Sequence, residues 1–279
     1  MIGSAQIAAA VREAIPRAAV ELRPDILAAM EAAVERERSP LAREALGQLV
    51  RNAAIAGDDR VPLCQDTGYV WVLIEVGADQ CVCGDLQEAI DAAVADSYAS
   101  AGLRASLARD AFTDRENTGF NTPAFLDIAT RPGPGVTVHV MLKGGGSDNA
   151  SALQMLRPGE GEEGVRRFVI EAVAAKAASA CPPLVVGVGV GTTFDKVGTL
   201  AKKALLRTVG ESHPDAHVAE FEAELLAEVN ALGIGPGGLG GDTTALAVHV
   251  LTAPAHIAAL PVAVNVGCCA VRSASIEIG

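Results

Sequence analysis

Short runs of β-branched and other apolar residues recur along this chain, and most begin or end in a turn of glycine, proline or cysteine. Residues 69–76 form an apolar, β-branched run, and a second strand is predicted over 124–129. Val136, Val138 and Val140 alternate up to a lysine and three glycines, residues 184–190 are a valine–glycine run, and Leu246, Val248 and Val250 follow a glycine-rich stretch. Between them lie helical segments: one capped by Asp85 and running to about residue 101, one over 162–179 and one near 215–231. Strands of this length alternating with helices predict an α/β fold, a mixed sheet flanked by helices. The first sixty residues are predicted helical: Ile7, Val11 and Ile15 recur every four residues, and Pro24 and Pro40 each open a further helix. The expected organisation is one domain, with a helical N-terminal region (1–60) and an α/β part (61–279).

Half of the 279 residues are hydrophobic but only 3% are aromatic, so the core must be built from Ala, Val, Leu and Ile. The formal net charge of -12 argues against a nucleic-acid partner. It would also repel a small anionic substrate unless arginines and lysines were placed locally to outweigh it. The N-terminus has no basic region of the kind that starts a signal peptide, and Pro261 and Asn265 interrupt the apolar run at 257–271. A cytoplasmic location and no membrane span are expected. Six irregularly spaced cysteines point to metal or redox use rather than a disulfide framework.

Chemistry concentrates in a few turns. Pro-Leu-Cys-Gln-Asp-Thr-Gly at 62–68 sets Cys64, Gln65 and Asp66 side by side between two turn residues. Lys143 precedes Gly144, Gly145 and Gly146, whose backbone N–H groups could cradle an anion; the GK[ST] ending of a Walker A loop is missing. The run Gly187-Val188-Gly189-Val190-Gly191 lacks the glycine spacing of a dinucleotide fingerprint. Cys81-Val82-Cys83 could ligate zinc, but no second pair stands at zinc-ribbon spacing, and it reads as structural. Cys64, Cys181 and one of Cys268 and Cys269 stand too far apart for a local ferredoxin or zinc-finger pattern. They suit a site assembled from three distant turns. Three thiolates on a [4Fe–4S] cluster would leave one iron open to act as a Lewis acid.

Taken in order, PLCQDTG, LRAS, NTGFNTP, KGGGSDN, CPP before a Gly/Val strand, and the closing H…PVAVNVGC…R resemble the class I fumarate hydratase family, iron–sulfur hydro-lyases that include L-tartrate dehydratases. The resemblance runs from about residue 60 to Arg272 and covers the cluster-binding part of single-chain members. It implies an α subunit that needs a separate β subunit carrying the catalytic base, in an α2β2-type assembly acting on a small dicarboxylate. It further implies Cys64, Cys181 and Cys268 as ligands of a [4Fe–4S] cluster, and Gln65, Asp66 and His256 as catalytic residues. Gln65, Asp66, Arg104, Lys143, Gly144, Gly145, Gly146, His256 and Arg272 would bind substrate. Reversible hydration of fumarate to L-malate is the expected reaction, with L-tartrate dehydration or a catalytically silent metal-binding protein as alternatives. Cys269 beside Cys268 and Phe120 within NTGFNTP depart from the family pattern. The first leaves the ligand choice to register with Asn265 and Arg272, and the second bears on substrate identity.

Overall fold

The structure, a computed structural model, describes residues 1–279. The elements begin with β1 (Ile2–Gly3), α1 (Ser4–Val20), α2 (Pro24–Arg36), α3 (Pro40–Asp59), β2 (Tyr69–Gly77), β3 (Val82–Cys83), α4 (Leu86–Ser100), β4 (Phe125–Arg131) and β5 (Val136–Lys143). They continue with α5 (Gly145–Asn149), β6 (Ala152–Leu156), α6 (Gly161–Lys176), β7 (Leu184–Thr192), α7 (Val197–Ala204), α8 (Ala216–Ala231), β8 (Ala245–Ala255), β9 (Leu260–Gly267) and β10 (Arg272–Ile278). No helix is long and apolar enough to cross a membrane. The α/β class with mixed sheets flanked by helices is as expected, but there are two main sheets, one in each of two compact units. The first unit comprises residues 1–23, 52–145 and 270–279, and the second comprises 24–51 and 146–269. The helical N-terminal stretch is thus shared, α1 falling in the first unit and α2 in the second.

In the first unit the strand order is β10-β5-β2-β4, with β2 and β4 parallel and β5 antiparallel to both of its neighbours. Alternation in the strands puts Val70, Val72, Ile74, Val136, Val138 and Val140 on one face. There they pack with Ile7, Val11 and Ile15 of α1 and with Ile90 and Val94 of α4. The four-residue spacing read from the sequence is what lines up the α1 contributors.

The second unit repeats this plan. Its order is β6-β9-β7-β8, with β7 and β8 parallel and β9 antiparallel to β6 and β7. Val186, Val188, Val248, Val250, Val262, Val264 and Val266 pack with α6 through Val165, Val169 and Val173, and with α8 through Phe221, Leu225 and Val229. On the other face α7 lies close against β7, where a Cβ at Gly187 or Gly189 would strike the Ala201 backbone. The glycines of the Val/Gly run therefore admit a helix, which accounts for a pattern that superficially resembles nucleotide binding.

The strands correspond pairwise: β2 with β7 at the centre, β4 with β8 as parallel neighbour, and β5 with β9 as antiparallel neighbour. The outer strands are exchanged, because β6 follows β5 in sequence yet joins the second sheet, while β10 follows β9 and joins the first. In each unit the turn before the central strand and the turn after its antiparallel neighbour fall at the same sheet end. Tyr69 pairs with Lys143 in one unit, and Val185 with Gly267 in the other. Those turns carry the chemically distinctive motifs.

Glu37, fully buried just after α2, ties the helical segment 24–51 into the second unit. Its carboxylate accepts from the backbone N–H groups of Asp242 (3.0 Å), Thr243 (3.1 Å) and Ser39 (3.1 Å). Burial works against its charge, yet these hydrogen bonds outweigh burial and hold its carboxyl below the ordinary 4.5. A depressed carboxylate contributes stability that is present above that ordinary value and is lost as pH falls through the lower, folded-state value. Glu37→Ala should cost about 3–5 kcal/mol by leaving buried donors without acceptors, read as a lowered urea midpoint. Glu37→Gln should flatten the acid limb of the stability–pH profile, and an unchanged limb would remove Glu37 as its source.

Candidate active site

The turn at 62–68 is organised around the Asp66 carboxylate. Oδ1 accepts from the Gly68 N–H (3.0 Å), Arg104 Nη2 (3.3 Å) and the Ser106 hydroxyl (3.3 Å), and Oδ2 accepts from the Gly145 N–H (2.9 Å). Arg272, 2% exposed at the start of β10, donates from Nη1 to the Asp66 carbonyl at 2.6 Å. Burial raises the Asp66 pKa, but the Gly145 and Gly68 amides, the Arg272 charge and the Ser106 hydroxyl together hold it below the usual carboxylate range. Asp66 is therefore an ionised hub of a pre-organised polar cluster.

A cavity of about 320 Å³ opens beside this hub, wholly within the first unit. It is lined by Asp66, Gly68, Tyr69, Arg104, Ala105, Ser106, Asn117, Lys143 and Gly145. Lys143 is buried at the end of β5, and Arg104 is exposed at the rim. In a chain of net charge -12 these cations supply the local positive field that an anionic ligand requires. A cavity of about 350 Å³ in the second unit is lined largely by Val165, Val190, Phe221, Val250 and Leu260 and offers no comparable cationic set.

In the glycine segment one of the backbone N–H groups is engaged by the protein itself. Gly145 opens α5, a single helical turn, and its N–H is already taken by Asp66. A Cβ on Gly144 would lie 3.3 Å from Asp66 Oδ2, so the glycine is needed for the carboxylate's close approach. Gly146 falls in the second unit, where its added Cβ would come 3.3 Å from the Ser179 carbonyl. Gly68 is the stricter case, with φ +78 and an added Cβ 2.6 Å from the Lys143 carbonyl oxygen. Gly68→Ala should destabilise by about 2–5 kcal/mol and disturb the β2–β5 end of the cavity. Thermal denaturation checks it, and a Tm within a degree of the parent would contradict the required close approach.

Ser106, Asn117 and Tyr69 also line the cavity and were not singled out from the sequence. Asn117 also forms a turn: its amide donates to the Ala105 carbonyl and accepts from the Gly119 N–H. The nearby Asn121 is buried and bridges the Ser106 N–H and the Gly68 carbonyl. Gln65 accepts from the Cys64 thiol at 3.2 Å.

In the second unit, Cys181 precedes β7 and Cys268 follows β9. Cys181 is exposed, with a left-handed backbone (φ 55), and its carbonyl accepts from the Cys269 N–H at 3.0 Å. This bond joins the two cysteine-bearing turns. Cys64 and Cys268 are partly buried thiols. His256 lies in the turn between β8 and β9, at the other end of the sheet from Cys181 and Cys268. The eight residues of β9 between that turn and Cys268 span roughly 26 Å. His256 Nδ1 accepts from the Ala258 N–H.

A family profile described as fumarate hydratase (Fumerase) matches residues 8–277. A Methanocaldococcus jannaschii protein provisionally named an L(+)-tartrate dehydratase alpha subunit is 38% identical over 277 residues, covering 96% of each chain. The L(+)-tartrate dehydratase alpha subunit of Escherichia coli K12 is 34% identical over 258 residues, 91% of this chain and 84% of its own. The protein of the same name from Escherichia coli UTI89 is 33% identical over the same length.

Proposed function

This chain belongs to the fumarate hydratase (Fumerase) family of hydro-lyases, and from that premise we propose that it is the α subunit of a dicarboxylate hydro-lyase, completed by a separate β subunit. The observation that carries the proposal is the first unit's cavity, whose lining combines Lys143 with Arg104 paired to an ionised Asp66. The partner follows from the relatives' names as alpha subunits.

Cys64, Cys181 and Cys268 are the proposed ligands of a [4Fe–4S] cluster. The donor set fits: three thiols in turns at corresponding sheet ends, two of those turns tied by the Cys269–Cys181 backbone bond. When bound, such a cluster supplies a Lewis acid for a hydroxyl leaving group. The chain's own residues bind and orient. Arg104 and Lys143 hold substrate carboxylate oxygens and offset the negative charge that develops when the neighbouring carbon loses its proton. Asp66 fixes Arg104 and Ser106 in place, and Arg272 fixes the Asp66 backbone from beneath. Gln65, next to Cys64 in the same turn, would be released from its hydrogen bond with the Cys64 thiol once that sulfur binds as a thiolate, freeing its amide for substrate.

L(+)-tartrate losing water to give oxaloacetate is the reading favoured by the relatives' names, and fumarate hydration to L-malate is the reading favoured by the family profile. The test is the chain co-purified anaerobically with its partner and assayed on both substrates. Turnover of L-tartrate with poor use of fumarate supports the first, and the reverse supports the second. Turnover of neither by an iron-loaded complex overturns the hydro-lyase reading.

A further inference from the structure

Cys81 and Cys83 belong to the first unit and take no part in the site described above. We propose that their thiolates form a surface site for one soft, two-coordinate metal ion, Cu(I) above all. Val82 between them packs against the core of the first unit, whereas both cysteines are exposed. Strand alternation then sets the two sulfurs on the same, solvent-facing side. β3 is held in register by β1: Ile2 pairs with Val82, Gly3 pairs with Cys83, and the Ile2 N–H donates to the Cys81 carbonyl at 2.9 Å. Gly3 adds no side chain beside Cys83. Just beyond, Asp85 caps α4 by accepting from the Glu88 N–H, so the segment is anchored on both sides.

The strand geometry selects among the chemistries open to two neighbouring thiols. Residues two apart on one face of a strand are separated by roughly 6.6 Å, whereas a disulfide needs Cβ atoms about 3.5–4.5 Å apart. A disulfide would have to break the β1–β3 pairing. An ion bridging two sulfurs placed on opposite sides of it spans the longer separation with the strand intact. Hard ions prefer oxygen ligands, and zinc in a structural site takes four donors where this site offers two thiolates. That leaves a soft ion satisfied by two sulfurs.

The probe is Cu(I) itself, titrated anaerobically into the full chain against a competing chelator such as bicinchoninate. Wild type and Cys81→Ser/Cys83→Ser would be compared, with circular dichroism confirming the fold and iron content measured in parallel. The wild type should take up one tight Cu(I) equivalent more than the double variant, and each single variant should lose that equivalent. Unchanged iron across the set separates this site from Cys64, Cys181 and Cys268. Equal Cu(I) uptake by wild type and double variant overturns the proposal, as does a single variant that retains the equivalent.

Discussion

Asp66→Asn should abolish most activity of the assembled enzyme, by about 10²–10³-fold, while leaving a folded chain with reduced stability. The side chain keeps its shape but loses its charge and one acceptor. The native carboxylate presents an oxygen to the Gly145 N–H on one side and another to the Gly68 N–H, Arg104 and Ser106 on the other. An asparagine amide can serve only one side, and whichever way it turns, its NH₂ group faces a backbone N–H. Each donor left without an acceptor costs about 1–3 kcal/mol where it is buried, so the Gly145 turn and the Arg104 side chain should both shift. Arg104 loses its ion pair with Asp66, and its side chain is 61% exposed, so its orientation depends on that contact.

The pH behaviour separates this account from simple structural damage. The folded Asp66 pKa is depressed, so its contribution to stability is present above the ordinary aspartate value of 3.8 and is lost as pH falls through the lower folded value. Denaturant midpoints measured across that range should show a smaller acid loss in Asp66→Asn than in the parent. A variant with more than a tenth of parental activity would remove Asp66 from the centre of the site.

Much of this was legible in the sequence, because local patterns govern it. An apolar run identifies β2, period-two alternation identifies β5, and four-residue spacing identifies the apolar stripe of α1. The turns at 62–68 and 143–146 stood out because adjacent glycine, cysteine and charged residues have few purely structural uses. The exchanged outer strands were not legible. β6 and β10 each leave one sheet's sequence neighbourhood for the other, and no local pattern records a non-local pairing. Nor could sequence show that Asp66 is engaged chiefly by the protein's own donors, since that depends on Gly68 and Gly145 being brought to either side of it.

His256 shows the same limit from the other direction. The resemblance fixed its order before Cys268, but a continuous strand between them makes order a poor guide to distance. Within the second unit it stands at the far sheet end from Cys181 and Cys268. Ser106 escaped notice for the opposite reason. A serine after a helix end has so many ordinary uses that only its hydrogen bond to Asp66 marks it out.

Cys64→Ser, Cys181→Ser and Cys268→Ser should each remove the iron–sulfur signal and lower activity of the assembled enzyme by about 10³-fold or more, whereas Cys269→Ser should retain both. The argument for the last rests on which part of Cys269 the fold uses. Its backbone N–H donates to the Cys181 carbonyl, and a serine keeps that bond unchanged. Cys268 directly follows β9, at the end where Gly267 pairs with Val185 and so beside the Cys181 turn. Serine offers a harder, far less acidic hydroxyl in place of a thiolate, and a site of three thiols has no spare donor. Iron and acid-labile sulfide after anaerobic purification should stand at about four each per parental chain, or at about three iron and four sulfide if the open iron is lost. A Cys269→Ser chain without iron, beside an iron-loaded Cys268→Ser chain, would transfer the ligand role to Cys269. The Cys181–Cys269 backbone bond would then act directly on the position of a ligand, rather than on the turn that carries it.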